Sequence, residues 1–184
     1  LSAYAEHEKV RIYSVTQKRG NRSYNRNFGA QKSKKDILVF LDGDMVLAPG
    51  SLQAFRTAHE REDYAAFIGC AHGMRFAEEH LQLYMGHGSY RDMVQTEEGL
   101  QQLVQDPRLA DWRLQPFQHQ ELEPYYWLYY YTCICSARRQ AFEAIGGFDE
   151  ALVTWGSEDI DLGYRLCACG KIGCLLDAHA AHLP

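Results

Sequence analysis

Ile37–Pro49, ILVFLDGDMVLAP, begins as an apolar run with the length and β-branched content of a buried strand and breaks off at Asp42 and Asp44, one on each side of Gly43. In an open α/β sheet, ligands gather outside the carboxyl ends of the strands. A strand feeding such an edge is expected to be buried on both faces, so two acids there need a purpose. Asp-Gly-Asp is a compact grip for a hard divalent cation of the sort that carries phosphorylated substrates. Asp-Gly is also a strong turn signal, so these residues alone leave open a metal grip and a solvated turn.

The flanks of this stretch predict its setting. Upstream, Val10–Val15 alternates as a strand does, Gly20 and Asn21 punctuate, and Arg22–Lys35 fits a helix with Tyr24 and Phe28 at i, i+4. Gly29 inside that helix costs about 1 kcal/mol relative to alanine, which would suit close packing on the sheet or close approach to a ligand. Helix then buried strand is the second half of a β-α-β unit. Downstream, Pro49 opens a helix continued by Ser51–Glu60, and Ala65–Cys70 reads as a second apolar strand. The segment 75–116 is helical and polar, an insertion over the sheet fit to house an acceptor site or a lid, with His80 and His87 as surface residues. Tyr125–Cys135, YYWLYYYTCIC, reads as a core strand with one or two rings reaching the site as a stacking wall. Ala137–Ile145 is a short helix stopped by Gly146-Gly147.

Composition bounds the class. The 184 residues are 46% apolar and 23% charged, a globular domain with no run long enough to cross a bilayer. A net charge of −5 argues against a nucleic-acid partner. Yet Lys9, Arg11, Lys18, Arg19, Arg22, Arg26, Lys32, Lys34 and Lys35 form an acid-free basic stretch just ahead of Asp42, suited to a polyanion or to a solvated helix face. The cysteines include two C-x-C pairs, not the C-x₂-C of common structural zinc sites. They are expected as reduced thiols in a cytoplasmic protein, peripheral to a membrane at most.

The second pole is Gly146–Leu166, GGFDEALVTWGSEDIDLGYRL. After Trp155-Gly156, Ser157 is the expected N-cap, with Glu158, Asp159 and Asp161 in the first helical turn and Ile160, Tyr164 and Cys167 as the apolar face. Acids at a helix N-terminus satisfy the macrodipole, but three in four positions exceed that need. A carboxylate fixed there beside a large ring is well placed as a general base toward a hydroxyl. A short strand, Lys171–Leu176, then leads to Asp177, His179 and His182.

Together NRNFGA (Asn25–Ala30), FLDGDMVLAP (Phe40–Pro49), the Trp-Gly-Ser-Glu-Asp block and the terminal AHLP (Ala181–Pro184) resemble a GT-A-fold glycosyltransferase of family 2 with the C-terminal segment of galactosyltransferases and chondroitin-polymerase-type enzymes. The resemblance implies one α/β catalytic domain over 1–184 with a mostly parallel, Rossmann-like sheet. It also implies strands ahead of Val10 that grip the base and ribose, so the domain is expected to be N-terminally incomplete. Asp44 and His182 would hold Mn²⁺ (or Mg²⁺), His182 being preferred to His179 because it precedes the proline. Asp42 would contact the ribose or assist the metal, and Arg26 would approach the nucleotide. Asp159 would be the catalytic base, Glu158 would hold the acceptor, and Trp155 with Gly156 would line the sugar pocket. The implied reaction is an inverting transfer from a nucleotide-sugar, a UDP-sugar by family weighting, to a carbohydrate or other hydroxyl acceptor. A non-catalytic scaffold or carbohydrate-binding module is the alternative, and a nucleotidyltransferase a more distant one.

Overall fold

The computed structural model describes residues 10–16, 20–74, 90–153 and 156–183. Trp155, His80, His87, Lys9, Lys18 and Arg19 therefore lie outside the described residues. In chain order the elements are α1 (Arg22–Lys32), β1 (Ile37–Leu41), β2 (Met45–Leu47), α2 (Ser51–Ala58), β3 (Tyr64–His72), α3 (Tyr90–Met93), α4 (Glu97–Gln105), α5 (Leu114–Phe117), a 3₁₀ segment (Gln120–Tyr129), β4 (Ile134–Arg138), α6 (Arg139–Ala144), α7 (Glu158–Leu166) and β5 (Lys171–His182). None of the described helices is long and apolar enough to cross a membrane.

The strands form one sheet in the order β1-β4-β3-β5-β2. Only β3 and β5 pair in parallel; β1–β4, β3–β4 and β2–β5 are antiparallel. The α/β layering expected from the sequence holds, whereas the mostly parallel sheet is corrected to a mixed one among the described residues. The reason is β4, which inserts between β1 and β3 and runs against both. Val10–Val15 joins no ladder, so the strand expected there is absent. β1 is an edge strand of the described sheet with alternating burial, not a strand buried on both faces. β3 is the buried centre, every residue from Tyr64 to His72 being inside.

α1 starts because the Asn21 side chain accepts from Tyr24 N at 2.9 Å, a standard N-cap. Asn27 then docks the helix: its Nδ2 donates to Phe148 O, and Phe148 N donates back to Asn27 Oδ1, each at 2.9 Å. Gly29 is not where α1 packs closely, because an added Cβ would meet no atom within 4 Å. α2 begins after Gly50, whose φ of +86° sets the turn, and Ser51 Oγ donates to His179 O at 2.8 Å.

Tyr125–Cys135 departs most from expectation. Its aromatic half lies in the 3₁₀ segment, and the strand begins only at Ile134. Pro124 removes a ladder donor, while Tyr126 and Tyr130, four residues apart, are both buried with hydroxyls donating to Phe117 O and Ser136 O. The Tyr126 and Tyr129 rings thus form a local T-shaped cluster with Phe117 instead of alternating across a sheet.

α7 is also turned from its expected face. Glu158, Leu162, Gly163 and Leu166 point inward, and Tyr164 and Cys167 are exposed. Two apolar rows compete on this helix, and the row containing Gly163 lets the backbone approach the 3₁₀ segment. A Cβ at Gly163 would lie 2.8 Å from Tyr130 Cβ and 2.9 Å from Trp127 O. Gly163→Ala should therefore destabilise by about 1–3 kcal/mol through overpacking, despite a helix-propensity gain of up to about 1 kcal/mol. Urea unfolding checks this: a raised midpoint would mean that propensity, not close approach, governs the position.

Candidate active site

The three-residue connection between β1 and β2 carries Asp42 and Asp44. Met45 N donates to Asp42 O at 3.1 Å, closing a tight turn around Gly43. The strand register does the rest. β5 continues beyond the expected Leu176 to His182, and two steps along β3 (Ile68 to Cys70) are matched by five along β5 (Cys174 to His179). After this bulge β5 pairs with β2, with Met45 opposite His182. Asp44 and His182 thus meet, Oδ2 to Nε2 at 3.6 Å, although 138 positions separate them in the sequence.

The same bulge decides between the two histidines. His179 Nδ1 faces His72 Nε2 at 3.0 Å, and only His182 lines the cleft. Burial pushes the His72 imidazole down to about 4, helped by nearby His179, so His72 is neutral at physiological pH. A carboxylate oxygen and an imidazole nitrogen facing one another suit a divalent cation such as Mn²⁺. No group of three or more His, Cys, Asp or Glu that could hold a metal ion occurs among the described residues. Two protein donors with substrate phosphates supplying others is the usual economy of such sites. His182 Nδ1 is buried without a partner, which leaves Nε2 as the outward donor.

From the other side, α7 presents its N-terminus. Ser157 makes no side-chain cap; Glu158 takes that place, its Oε2 accepting from Gly156 N and Ser157 N, each at 3.1 Å. Its Oε1 accepts from Arg26 Nη1 at 2.9 Å, and Arg26 Nη2 reaches Asp42 Oδ1 at 3.0 Å. Burial opposes the Glu158 charge, yet backbone donors and Arg26 outweigh it and hold the carboxyl below its ordinary value. Burial likewise opposes the Arg26 charge, but the hydrogen bonds to Glu158 and Asp42 leave its pKa raised. Asp159 differs. Its Oδ2 accepts from Thr132 N and Thr132 Oγ1, both at 3.1 Å, while burial and the adjacent Glu158 charge raise its pKa despite those bonds.

The acids, Arg26 and His182 line one cleft of about 940 Å³. Arg26, Asp42, Asp44, Gly156, Glu158, Asp159 and His182, each singled out from the sequence, are brought together there. Of the basic stretch, Arg22 and Arg26 reach the cleft, whereas Lys32 lies over the rings of Tyr13 and Phe28.

Sequence reasoning missed the cleft's floor and wall. Asp111 and Arg113 form an ion pair at 2.6 Å with both side chains 2% exposed. Asp111 also accepts from Ala71 N, and Arg113 donates to Gly69 O and Tyr129 O. Between them Trp112, 38% exposed, stands in the cleft with Tyr131, their ring centroids 6.4 Å apart. The available signal was Asp-Trp-Arg, opposite charges two residues apart around a large ring. It lay inside a segment read as polar insertion.

Comparison with known proteins identifies the family and the fold. The family model for glycosyl transferase family 2 matches residues 1–146, and that for the N-terminal domain of galactosyltransferase matches 117–181. The chain belongs to glycosyl transferase family 2. It is 32% identical over 152 residues to a validoxylamine A glucosyltransferase of Streptomyces hygroscopicus subsp. jinggangensis, covering 79% of this chain and 35% of that protein. It is 24% identical over 151 residues to a chondroitin synthase of Escherichia coli, covering 77% of this chain and 21% of the synthase. The chain thus spans about a third or less of the length of these relatives. The structure of GalNAc-T7 with UDP, GalNAc and Mn²⁺ superposes with a TM-score of 0.53 at 12% identity, over 91% of this chain and 31% of that one, and establishes the GT-A fold.

Replacing Arg113 with Met leaves Asp111 charged and buried without its partner, so a loss of about 3–5 kcal/mol is expected. Urea unfolding of R113M measures it; a loss below 1 kcal/mol would mean that water reaches Asp111.

Proposed function

We propose that the chain is one catalytic domain, with a helical insertion over 75–116, that transfers a sugar from a nucleotide-sugar, with UDP-sugars favoured, to a hydroxyl of a glycan acceptor. The observation that carries this reading is the shared cleft, lined by the Asp44–His182 pair and by a half-buried Asp159 with a raised pKa. The relatives' names and the UDP and Mn²⁺ in the GalNAc-T7 structure support the donor and the metal.

Asp44 and His182 would hold Mn²⁺ (or Mg²⁺), which when bound offsets negative charge on a departing nucleoside diphosphate. Arg22, which also lines the cleft, adds positive charge there, while the Arg26 charge is taken up by Glu158 and Asp42. Asp42, tied to Arg26, is suited to orient the guanidinium or to accept from a ribose hydroxyl. Asp159 is the proposed general base. Thr132 fixes one of its oxygens, and the raised pKa makes the other a better proton acceptor than an ordinary aspartate. The acceptor oxygen attacks the anomeric carbon as its proton passes to Asp159. The new glycosidic bond forms while the anomeric C–O bond to phosphate breaks, and the nucleoside diphosphate leaves with the electron pair. A single displacement of this kind inverts the anomeric centre. Both Glu158 oxygens accept internal bonds, so the geometry favours a positioning part for Glu158 over direct acceptor binding. Trp112 and Tyr131 supply the ring faces against which a pyranose packs, and Trp155 keeps its proposed place in the sugar pocket.

Calorimetric titration of UDP and GDP with and without Mn²⁺ tests the donor site. Metal-dependent UDP binding, lost in Asp44→Asn and kept in Asp159→Asn, is expected, with turnover falling at least about 100-fold in the latter. Near-normal turnover by Asp159→Asn would remove the assigned base. Absence of nucleotide binding would favour a non-catalytic scaffold.

The pH profile is a further check. Asp159 must be ionised to act, and its pKa in the free protein is raised, so the acid limb of kcat/KM should lie above the ordinary aspartate range. In Glu158→Gln a neighbouring negative charge is lost, Asp159 becomes easier to ionise, and the limb should move to lower pH. A shift to higher pH would contradict the electrostatic account.

A further inference from the structure

The apolar row of α7 that the sequence suggests for the core faces outward and leaves the cleft at its rim. Ile160 lines the main cleft and also a neighbouring groove of about 410 Å³ formed with Trp127, Ser157, Asp161 and Tyr164. Tyr164, 62% exposed, meets Trp127 edge to face at 5.1 Å. A second shallow groove of about 530 Å³ continues past Tyr164 to Cys167 and Ile145. Apolar surface thus runs without a break from beside Asp159 out along α7. The groove is open and almost wholly apolar, with the Trp127 and Tyr164 rings as its floor and Ser157 and Asp161 at its edge. The Ser157 side chain is not used as a helix cap, and Asp161 is held in place by Arg165 at 2.5 Å.

An aromatic floor of this kind takes the apolar face of a pyranose, whose hydroxyls then project at the edge of the open groove toward solvent. We infer that the Trp127–Tyr164 groove is an acceptor subsite: it holds a sugar unit of an oligosaccharide one or two residues from the hydroxyl presented to Asp159. The inference rests on the glycosyltransferase reading of the cleft. Continuity through Ile160 favours the acceptor over a protein partner, since anything covering the groove at that end also borders the reaction site. The subsite makes the enzyme length-selective, with oligosaccharides accepted better than the monosaccharide.

The test uses the full chain with Mn²⁺ and UDP on an array of immobilised glucose-, galactose-, uronic-acid- and N-acetylhexosamine-based glycans of one to six units. Tyr164→Ala and Tyr164→Phe are compared with the wild type, and UDP affinity is measured in parallel. The expected result is retention of glycans of two or more units, weakened at least tenfold by Tyr164→Ala and less than twofold by Tyr164→Phe, with unchanged UDP affinity. Equal retention by Tyr164→Ala overturns the subsite. So does a wild type that binds UDP but retains no oligosaccharide better than its monosaccharide, and in both cases the donor reading stands. Failure of the wild type to bind UDP overturns the donor reading and the subsite together.

Discussion

The Arg26 fork joins three parts of the chain at a single side chain. One guanidinium nitrogen takes Glu158 at the start of α7, and the other takes Asp42 in the β1–β2 turn. Its carbon lies 5.5 Å from the centre of the Phe148 ring, in the loop to which Asn27 docks α1. A planar group with donors in a fixed fork can span two carboxylates in one geometry, which a lysine point charge cannot do. The side chain is 17% exposed and that of Glu158 4%, so the pair works in a partly dry medium where its directionality counts for more. Asp44 is left out of this network and faces His182 instead. The arrangement therefore separates the acids of the cleft: Asp42 and Glu158 share the Arg26 guanidinium within the protein, while Asp44 and Asp159 make no contact with it.

The sheet supports that separation through an irregularity. A regular β3–β5 ladder would continue in step beyond Cys174; the bulge resets the register, and His182 arrives beside Asp44 while His179 turns toward His72. Ser51 secures the reset strand, its Oγ bonding both His179 O and His179 N. Bulges placed beside active sites re-aim side chains in this way. The Asp111–Arg113 pair has a parallel part on the opposite wall. It satisfies the backbone of β3 and of the 3₁₀ segment at once and leaves Trp112 projecting between two anchored neighbours.

These details explain why some of the structure was legible in the sequence and some was not. Asp42, Asp44 and the Trp-Gly-Ser-Glu-Asp block could be read because their chemistry is concentrated in a few adjacent positions. Their meeting at one cleft depends on pairings over long sequence distances, which spacing does not encode. Local pattern also misled where two solutions were locally equal. Tyr125–Cys135 has strand-like composition, yet Pro124 and the i, i+4 burial of Tyr126 and Tyr130 turn its first half into a 3₁₀ coil. On α7 the rows Ile160/Tyr164/Cys167 and Leu162/Leu166 are similarly apolar, and only the clearance at Gly163 selects the second for the core. Asp111-Trp112-Arg113 was legible as charge and ring but not as a site, because a buried ion pair and a solvated one have the same sequence.

The contrast between Glu158 and Asp159 shows how far one peptide bond can separate two carboxylates. Both are near the same helix N-terminus and both are near Arg26, so the macrodipole and the charge environment would treat them alike. What differs is hydrogen bonding. Glu158 receives two backbone amides and one guanidinium nitrogen, and its charged form is stabilised beyond what burial costs. Asp159 receives the Thr132 amide and hydroxyl but no guanidinium hydrogen bond, pays for burial, and feels the Glu158 charge beside it. The protein's own contacts thus make one acid a fixed anion and the other a proton acceptor, as happens where paired carboxylates divide their roles by environment. The division persists only while Arg26 and the Gly156–Ser157 amides occupy Glu158. An altered turn at Gly156 would therefore act on Asp159 without touching it.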